Sequence, residues 1–268
     1  MIKHSFFKLT VVIILYVFFF NVSQGQSLES KIDKILGNQF KNNETGVSAL
    51  VAKDGKILYR KAFGKANLEL DVNMTSDNVF EIGSITKQFT SVSILMLLEE
   101  GKLSLDDEIT KFIPDYPTNG KKITIHHLLT HTSGIKSYTS MQSFGKVMTI
   151  DETPLKFIDF FKNEPMDFDP GEKYLYNNSA YFILGYIIEK VSGISYEKFL
   201  QERIFDKIDM KSSYYGSHTK LIKNRASGYE KTAEFVNAPY LSLTLPYAAG
   251  SIMSSVDDML KWQTAITN

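Results

Sequence analysis

The chain has 268 residues, 30 basic and 30 acidic side chains, no cysteine and 43% hydrophobic content, which fits one large globular domain or two interleaved subdomains. Disulfides and a lipid-modified N-terminal cysteine are excluded. A net charge of zero gives no footing for nucleic-acid binding, and the Lys-rich stretches alternate with Asp and Glu as solvated faces do.

The chain begins with a targeting pattern. Lys3 and Lys8 supply a positive start, Leu9 to Phe20 is apolar except for Thr10, and Ser23-Gln24-Gly25 places small residues where a signal peptidase inspects them. The apolar run is shorter than the roughly 20 residues that span a bilayer. Residues 1–25 are therefore read as a signal peptide. Residues 26–268 are expected to be exported, periplasmic or secreted, with no stable membrane insertion once the signal is cleaved.

A helix is expected from Leu28 to Leu36. Gly46 to Ala52 and Lys56 to Phe63 have strand character, and Asp54-Gly55 between them suits a hairpin turn that demands positive φ. Residues 84–100 carry no Gly or Pro and predict a buried helix that stops at Gly101. Ser104-Leu105-Asp106-Asp107 reads as the cap of a short helix, and Pro114 and Pro117 break the pattern after it. Helical signal returns in Thr124 to Leu129 and Pro154 to Lys162, where Phe157, Phe160 and Phe161 read as core. Phe168 to Gly171 is a turn and Tyr174 to Asn178 follows it as an extended or irregular stretch. A buried helix runs from about Ser179 to Val191 and closes at Gly193. Ser195 caps a helix reaching about Phe205, residues 207–250 look loop-like, and Ser255 to Asp258 resembles a capping box for a last helix.

Ser84-Ile85-Thr86-Lys87 carries the chemistry. A serine at a helix start lies beside backbone N–H groups without intrahelical partners, where a forming anion is stabilised. Lys87, one turn on, is within reach of the Ser84 hydroxyl, and desolvation at the mouth of an apolar helix lowers an amine pKa toward the neutral form a base needs. Taken alone, Ser-x-x-Lys is equally the pattern of a capped helix followed by a solvated lysine. His127 and His131 have the i, i+4 spacing of helix metal ligands, but no Glu follows His127 and the chain has no cysteine, so structural roles are expected and no metal or cofactor is assigned. No Gly-x-Ser-x-Gly occurs to support a nucleophile elbow. Tyr174 and Tyr181 read equally as packing residues and as cleft walls.

Ile82 to Lys87, Leu128-Leu129-Thr130-His131-Thr132-Ser133-Gly134, Pro170-Gly171 and Tyr174 to Tyr181 together resemble, in order, the serine β-lactamase-related hydrolases of class C type. That family includes β-lactamases, D-alanyl-D-alanine carboxypeptidases, D-amino-acid peptidases and esterases. The resemblance implies an α+β fold in which helices cover an antiparallel sheet beside an all-helical region. It implies a small-molecule or peptide substrate (a β-lactam, a D-amino-acid peptide or an ester), Ser84 as acylated nucleophile, Lys87 as its partner amine, Tyr176 as the phenol of Tyr-x-Asn, and Asn178 as the amide that holds Lys87 and substrate. The base, Lys87 or Tyr176, stays open. Asn177 stands where the family often has Ser. No Lys-Thr-Gly or His-x-Gly strand follows Asn178, so the chain is expected to match an N-terminal portion of such an enzyme, without the C-terminal strands. Two functions follow as alternatives: an exported serine acyl-hydrolase whose chain alone is inactive or weakly active, or a penicillin-binding-like protein that binds peptidoglycan-type ligands or is acylated by them without turnover.

Overall fold

The computed structural model describes residues 27–267. The signal peptide expected at residues 1–25 lies outside the described residues. Among the described residues no helix is long and apolar enough to cross a membrane.

Ser27 Oγ accepts from the Ser30 amide at 3.2 Å and starts helix α1 at Leu28, which runs to Gln39. Strands β1 (Val47–Lys53) and β2 (Lys56–Phe63) form the hairpin read from sequence. Its turn residues Asp54 and Gly55 have φ of 50° and 72°, the geometry that matches strand twist. Buried Tyr59 donates to Asp33 Oδ1 at 2.8 Å and ties the hairpin to α1. A smaller hairpin, β3 (Lys65–Asn67) with β4 (Val72–Asn73), precedes β5 (Phe80–Glu81).

Helix was expected from Ser84, but the chain first makes a 3₁₀ turn over Gly83–Ile85, and α2 proper is Thr86–Glu99. Gly83, at φ 52°, swings the chain out of β5 directly before the serine. Ser104 to Asp107 makes a turn instead of a helix start. The Ser104 amide donates to Asp107 Oδ2 at 2.8 Å, and the Ile109 amide then bonds the Ile123 carbonyl at 2.9 Å, so only a 3₁₀ turn at Ile109–Lys111 forms.

Beyond it lie α3 (Ile125–Leu129), α4 (Pro154–Phe161), α5 (Asn178–Ser192) and α6 (Tyr196–Leu200), which widens into a π turn at Gln201–Phe205. Gly193 closes α5 at φ 75°. The region read as loop holds β6 (Tyr214–Tyr215) and a hairpin of β7 (Tyr229–Lys231) with β8 (Phe235–Asn237). Strand β9 (Ile252–Ser254) is central in a three-stranded antiparallel sheet of order β5-β9-β6, and α7 (Val256–Thr267) ends the described chain. Strands of two or three residues are too short to alternate, and fully buried β9 has no exposed face, which hid this sheet from sequence patterning. The acid of the expected Ser255 capping box, Asp258, instead accepts from the Ser212 amide at 2.6 Å and Ser213 Oγ at 3.0 Å.

The fold is α+β, and its core lies where α2 meets α5. Phe89, Ile94 and Leu97 of α2 and Phe182, Ile183, Leu184 and Ile187 of α5 are wholly buried. Trp262 of α7 stacks on Phe89 at 3.9 Å, and Phe157, Phe161, Phe182 and Tyr138 form an aromatic group with Phe160 at its margin.

Gly185 is the closest approach in this core. A Cβ there would lie 2.4 Å from Ala248 Cβ and 2.5 Å from Tyr247 Cε1. Exposed helix positions gain about 1 kcal/mol from Gly→Ala. Here overpacking outweighs that gain, and Gly185→Ala should destabilise by about 1–3 kcal/mol in urea unfolding. Gly145→Ala, at an exposed 3₁₀ position with nothing within 4 Å of the new Cβ, is the control that should leave the midpoint unchanged or raise it slightly.

Candidate active site

The start of α2 is clamped to buried β9. Phe80 and Glu81 pair with Ser254 and Met253, the Ile82 amide donates to the Ile252 carbonyl at 3.0 Å, and Thr86 Oγ1 accepts from the Ile252 amide at 3.1 Å. Ser84 therefore sits on a fixed turn with its side chain exposed, at the mouth of a cavity of about 330 Å³ bounded by Tyr138, Phe144, Asn178, Leu243 and Pro246.

Lys87, one turn inward, is only 6% exposed. Its Nζ donates to Asn178 Oδ1 at 2.8 Å, the Ala249 carbonyl at 2.8 Å and Ser84 Oγ at 3.3 Å, so each ammonium hydrogen has an acceptor. All three acceptors are uncharged. Burial pushes the amine down to about 8, because no carboxylate offsets the loss of hydration.

Each acceptor is held in turn. The Asn178 amide donates to Ser137 Oγ at 3.2 Å and its Nδ2 to Thr139 Oγ1 at 3.0 Å, which aims Oδ1 at Lys87. Asn177, the residue that differs from the resembling family, is the N-cap of α5. It is 2% exposed, its Oδ1 accepts from the Ala180 amide at 2.8 Å, and its Nδ2 donates to the Ile135 carbonyl. The Ala249 carbonyl belongs to the 3₁₀ turn Tyr247–Ala249, which Thr90 grips by donating to the Ala248 carbonyl at 2.6 Å. Ala249 was invisible to motif reading because its contribution is a backbone atom.

The structure brings Ser84, Lys87, Tyr176 and Asn178 together, with Tyr176 placed differently from the others. Its ring centroid lies 4.8 Å from Lys87 Nζ and 4.7 Å from the His131 ring. Among the described residues its hydroxyl makes no hydrogen bond to Ser84 or Lys87. The ring face thus meets the ammonium, a cation–π arrangement.

His131 joins the site as well. Its Nδ1 accepts from the Asn177 amide at 3.1 Å, and its carbonyl from the Leu175 amide at 3.0 Å. Burial, then the nearby Lys87 charge, pushes the imidazole down to about 4, so Nδ1 stays available as an acceptor. Its neighbour Gly134 has φ 70°, and a Cβ there would fall 1.9 Å from the Phe168 carbonyl oxygen. His127 instead closes a reciprocal cap with Thr124, and among the described residues no three His, Cys, Asp or Glu are grouped as metal ligands. Tyr181 is buried and bonds Ser91 and the Leu129 carbonyl at 3.0 Å each; Tyr174 is 67% exposed, its ring 5.9 Å from that of His131.

Known proteins share this arrangement of sequence and fold. Residues 28–267 match the family described as Beta-lactamase. Penicillin-binding protein 4* of Bacillus subtilis is 34% identical over 177 residues, covering 63% of this chain and 37% of its own length. Putative penicillin-binding protein PbpX of the same species is 32% identical over 245 residues, 89% of this chain and 60% of the relative. An octameric penicillin-binding protein homologue from Pyrococcus abyssi superposes with a TM-score of 0.73 at 36% identity, covering 87% of this chain and 54% of that one. D-amino acid amidase from Ochrobactrum anthropi SV3, complexed with D-phenylalanine, gives 0.77 at 27% identity, covering 88% and 70%. The chain spans about half the length of the curated relatives it matches. With a family match over nearly all the described residues and the fold shared with these structures, the chain belongs to the beta-lactamase family.

Proposed function

We propose that this protein is an exported serine acyl-hydrolase in which Ser84 forms an acyl-enzyme on a β-lactam, a D-amino-acid peptide or an ester. The observation that carries the reading is Lys87, a buried amine with uncharged acceptors, 3.3 Å from an exposed serine hydroxyl. Neutral Lys87 takes the Ser84 proton as Oγ attacks the carbonyl carbon, and Asn178 and Ala249 hold the resulting ammonium. The proton then passes to the leaving group, and the acyl ester stays on Oγ until water attacks it. Similarity to penicillin-binding proteins and to a D-amino acid amidase supports acyl transfer from amides.

A second reading, acylation without turnover, is favoured by the Tyr176 hydroxyl, which has no described bond that would aim it at a deacylating water. The two separate by burst kinetics: a chromogenic ester releases product continuously in the first and one equivalent only in the second.

A fluorophosphonate probe should label the chain at Ser84 and fail on Ser84→Ala. Labelling that survives the substitution, read by peptide mass spectrometry, removes Ser84 from the role.

The pH dependence follows from which form reacts. The base is the unprotonated amine, so acylation should rise as pH climbs through about 8 and level off above it. His131 stays neutral down to about 4 and should add no step near 6.5. A rate independent of pH from 6 to 10, by stopped-flow acylation, would contradict Lys87 as base.

Lys87→Ala should lower acylation by about 100-fold or more. Tyr176→Phe keeps the ring against Nζ, so acylation should stay within about tenfold while deacylation slows by about 100-fold. An acylation loss equal to that of Lys87→Ala would move the base role to the phenol.

A further inference from the structure

A second cavity, of about 360 Å³, adjoins the Ser84 cleft and shares Glu81 and Leu241 with it. Glu81 is the last residue of β5, and its side chain is 49% exposed. Its Oε1 accepts from Arg225 Nη2 at 3.0 Å. Among the described residues Oε2 has no hydrogen-bond partner.

Arg225 is the more enclosed of the two, 27% exposed, and is fixed from behind. Nη1 donates to the Ser217 carbonyl at 2.9 Å, and Nη2 lies 3.4 Å from His218 Nδ1. His218 in turn meets the Leu241 carbonyl through Nε2 at 2.9 Å, and its ring lies 4.6 Å from Tyr240. Surface ion pairs commonly do no more than join two segments. Here the backbone already does that, because Val79 donates to the Asn224 carbonyl at 2.9 Å and accepts from the Ala226 amide at 3.0 Å. The side-chain pair is spare for another task. Its geometry turns Arg225 donors toward Glu81, Ser217 and His218, and leaves one carboxylate oxygen unbonded on a residue that lines both cavities.

We propose that Glu81, oriented by Arg225, is a specificity-determining residue that reads an ammonium group on the acyl donor, close to the carbonyl attacked by Ser84. The inference rests on the acyl-hydrolase reading and deepens it by naming the substrate class: acyl donors with a free amine. An incoming carboxylate would meet the Glu81 charge beside a guanidinium three of whose N–H groups already face Glu81, Ser217 and His218. A donor whose amine is acylated loses the charge and adds bulk beside Glu81.

The test is calorimetric titration of the full chain carrying Ser84→Ala with phenylalanine amide and N-acetylphenylalanine amide, each in D and L forms. The free amine should bind about tenfold more tightly than the acetylated form, and adding Glu81→Gln, which keeps an oxygen for Arg225, should bring the two within about twofold. The melting temperature should not move, which separates recognition from a structural role of the pair. Equal affinity for the two forms, tighter binding of the acetylated form, no binding of either, or a preference that survives Glu81→Gln overturns the proposal. Fluorophosphonate labelling of wild-type Ser84 tests the hydrolase reading separately. Labelling without an amine preference removes only the subsite, and an amine preference without labelling removes only the acyl-enzyme.

Discussion

The structure around Ser84 depends on one constraint: an ammonium group buried without a counter-ion. A lysine at 6% exposure loses most of its hydration, and the fold replaces it with an amide oxygen, a backbone carbonyl and the hydroxyl of Ser84. A carboxylate in any of those places would hold the proton on the amine. Uncharged acceptors satisfy its geometry but leave the charge poorly stabilised, so the proton is held loosely. The aromatic faces of Tyr176 and Tyr181, 4.8 and 5.5 Å from Nζ, complete the enclosure without adding a negative charge.

Holding three acceptors to hydrogen-bonding distance requires rigid supports, and each comes from a different part of the chain. Ser84 is fixed through β9, which pairs with β5 and β6 on its two edges. Asn178 is fixed at the start of α5 by the loop carrying Ser137 and Thr139, and by the cap that Asn177 provides. Ala249 is fixed by Thr90 and by the close packing of its turn against Gly185. The site is thus a property of the folded core, and a substitution at Gly185 reaches Lys87 through the turn that bears Ala249.

Much of this was legible in the sequence. Long elements with strong patterns, such as α2, α5 and the Asp54-Gly55 hairpin, stand where periodicity and turn chemistry put them. Ser84, Lys87, Tyr176 and Asn178, singled out by the motifs, lie close to one another in the structure. The misses have physical causes. Strands β5, β6 and β9 have two or three residues each and show no alternation. The Ser104 turn satisfies its polar groups internally and does not propagate a helix. His131 could be read only as structural from its spacing to His127. Its place in the site depends on a left-handed backbone at φ 58° that turns it away from α3 toward Tyr176. One signal was present, the His131 to Gly134 run, in which Gly134 stands where a side chain would strike the Phe168 carbonyl.

The contrast between Lys87 and Tyr176 separates two demands on one site. Removing a proton from Ser84 needs an amine whose pKa is set by a fixed, dry surrounding, and Lys87 has that surrounding before any ligand arrives. Tyr176 is 43% exposed and sets its ring 4.8 Å from Nζ, and among the described residues its hydroxyl has no bond to Ser84 or Lys87. A substrate filling the cleft would dry the space around that phenol and strengthen whatever hydrogen bond it makes there. On the acyl-hydrolase proposal, the groups for the first half of the cycle are in place in the resting fold. On the same proposal the second half depends on what the acyl group brings with it, so these residues would suit turnover of one substrate and stable acylation by another.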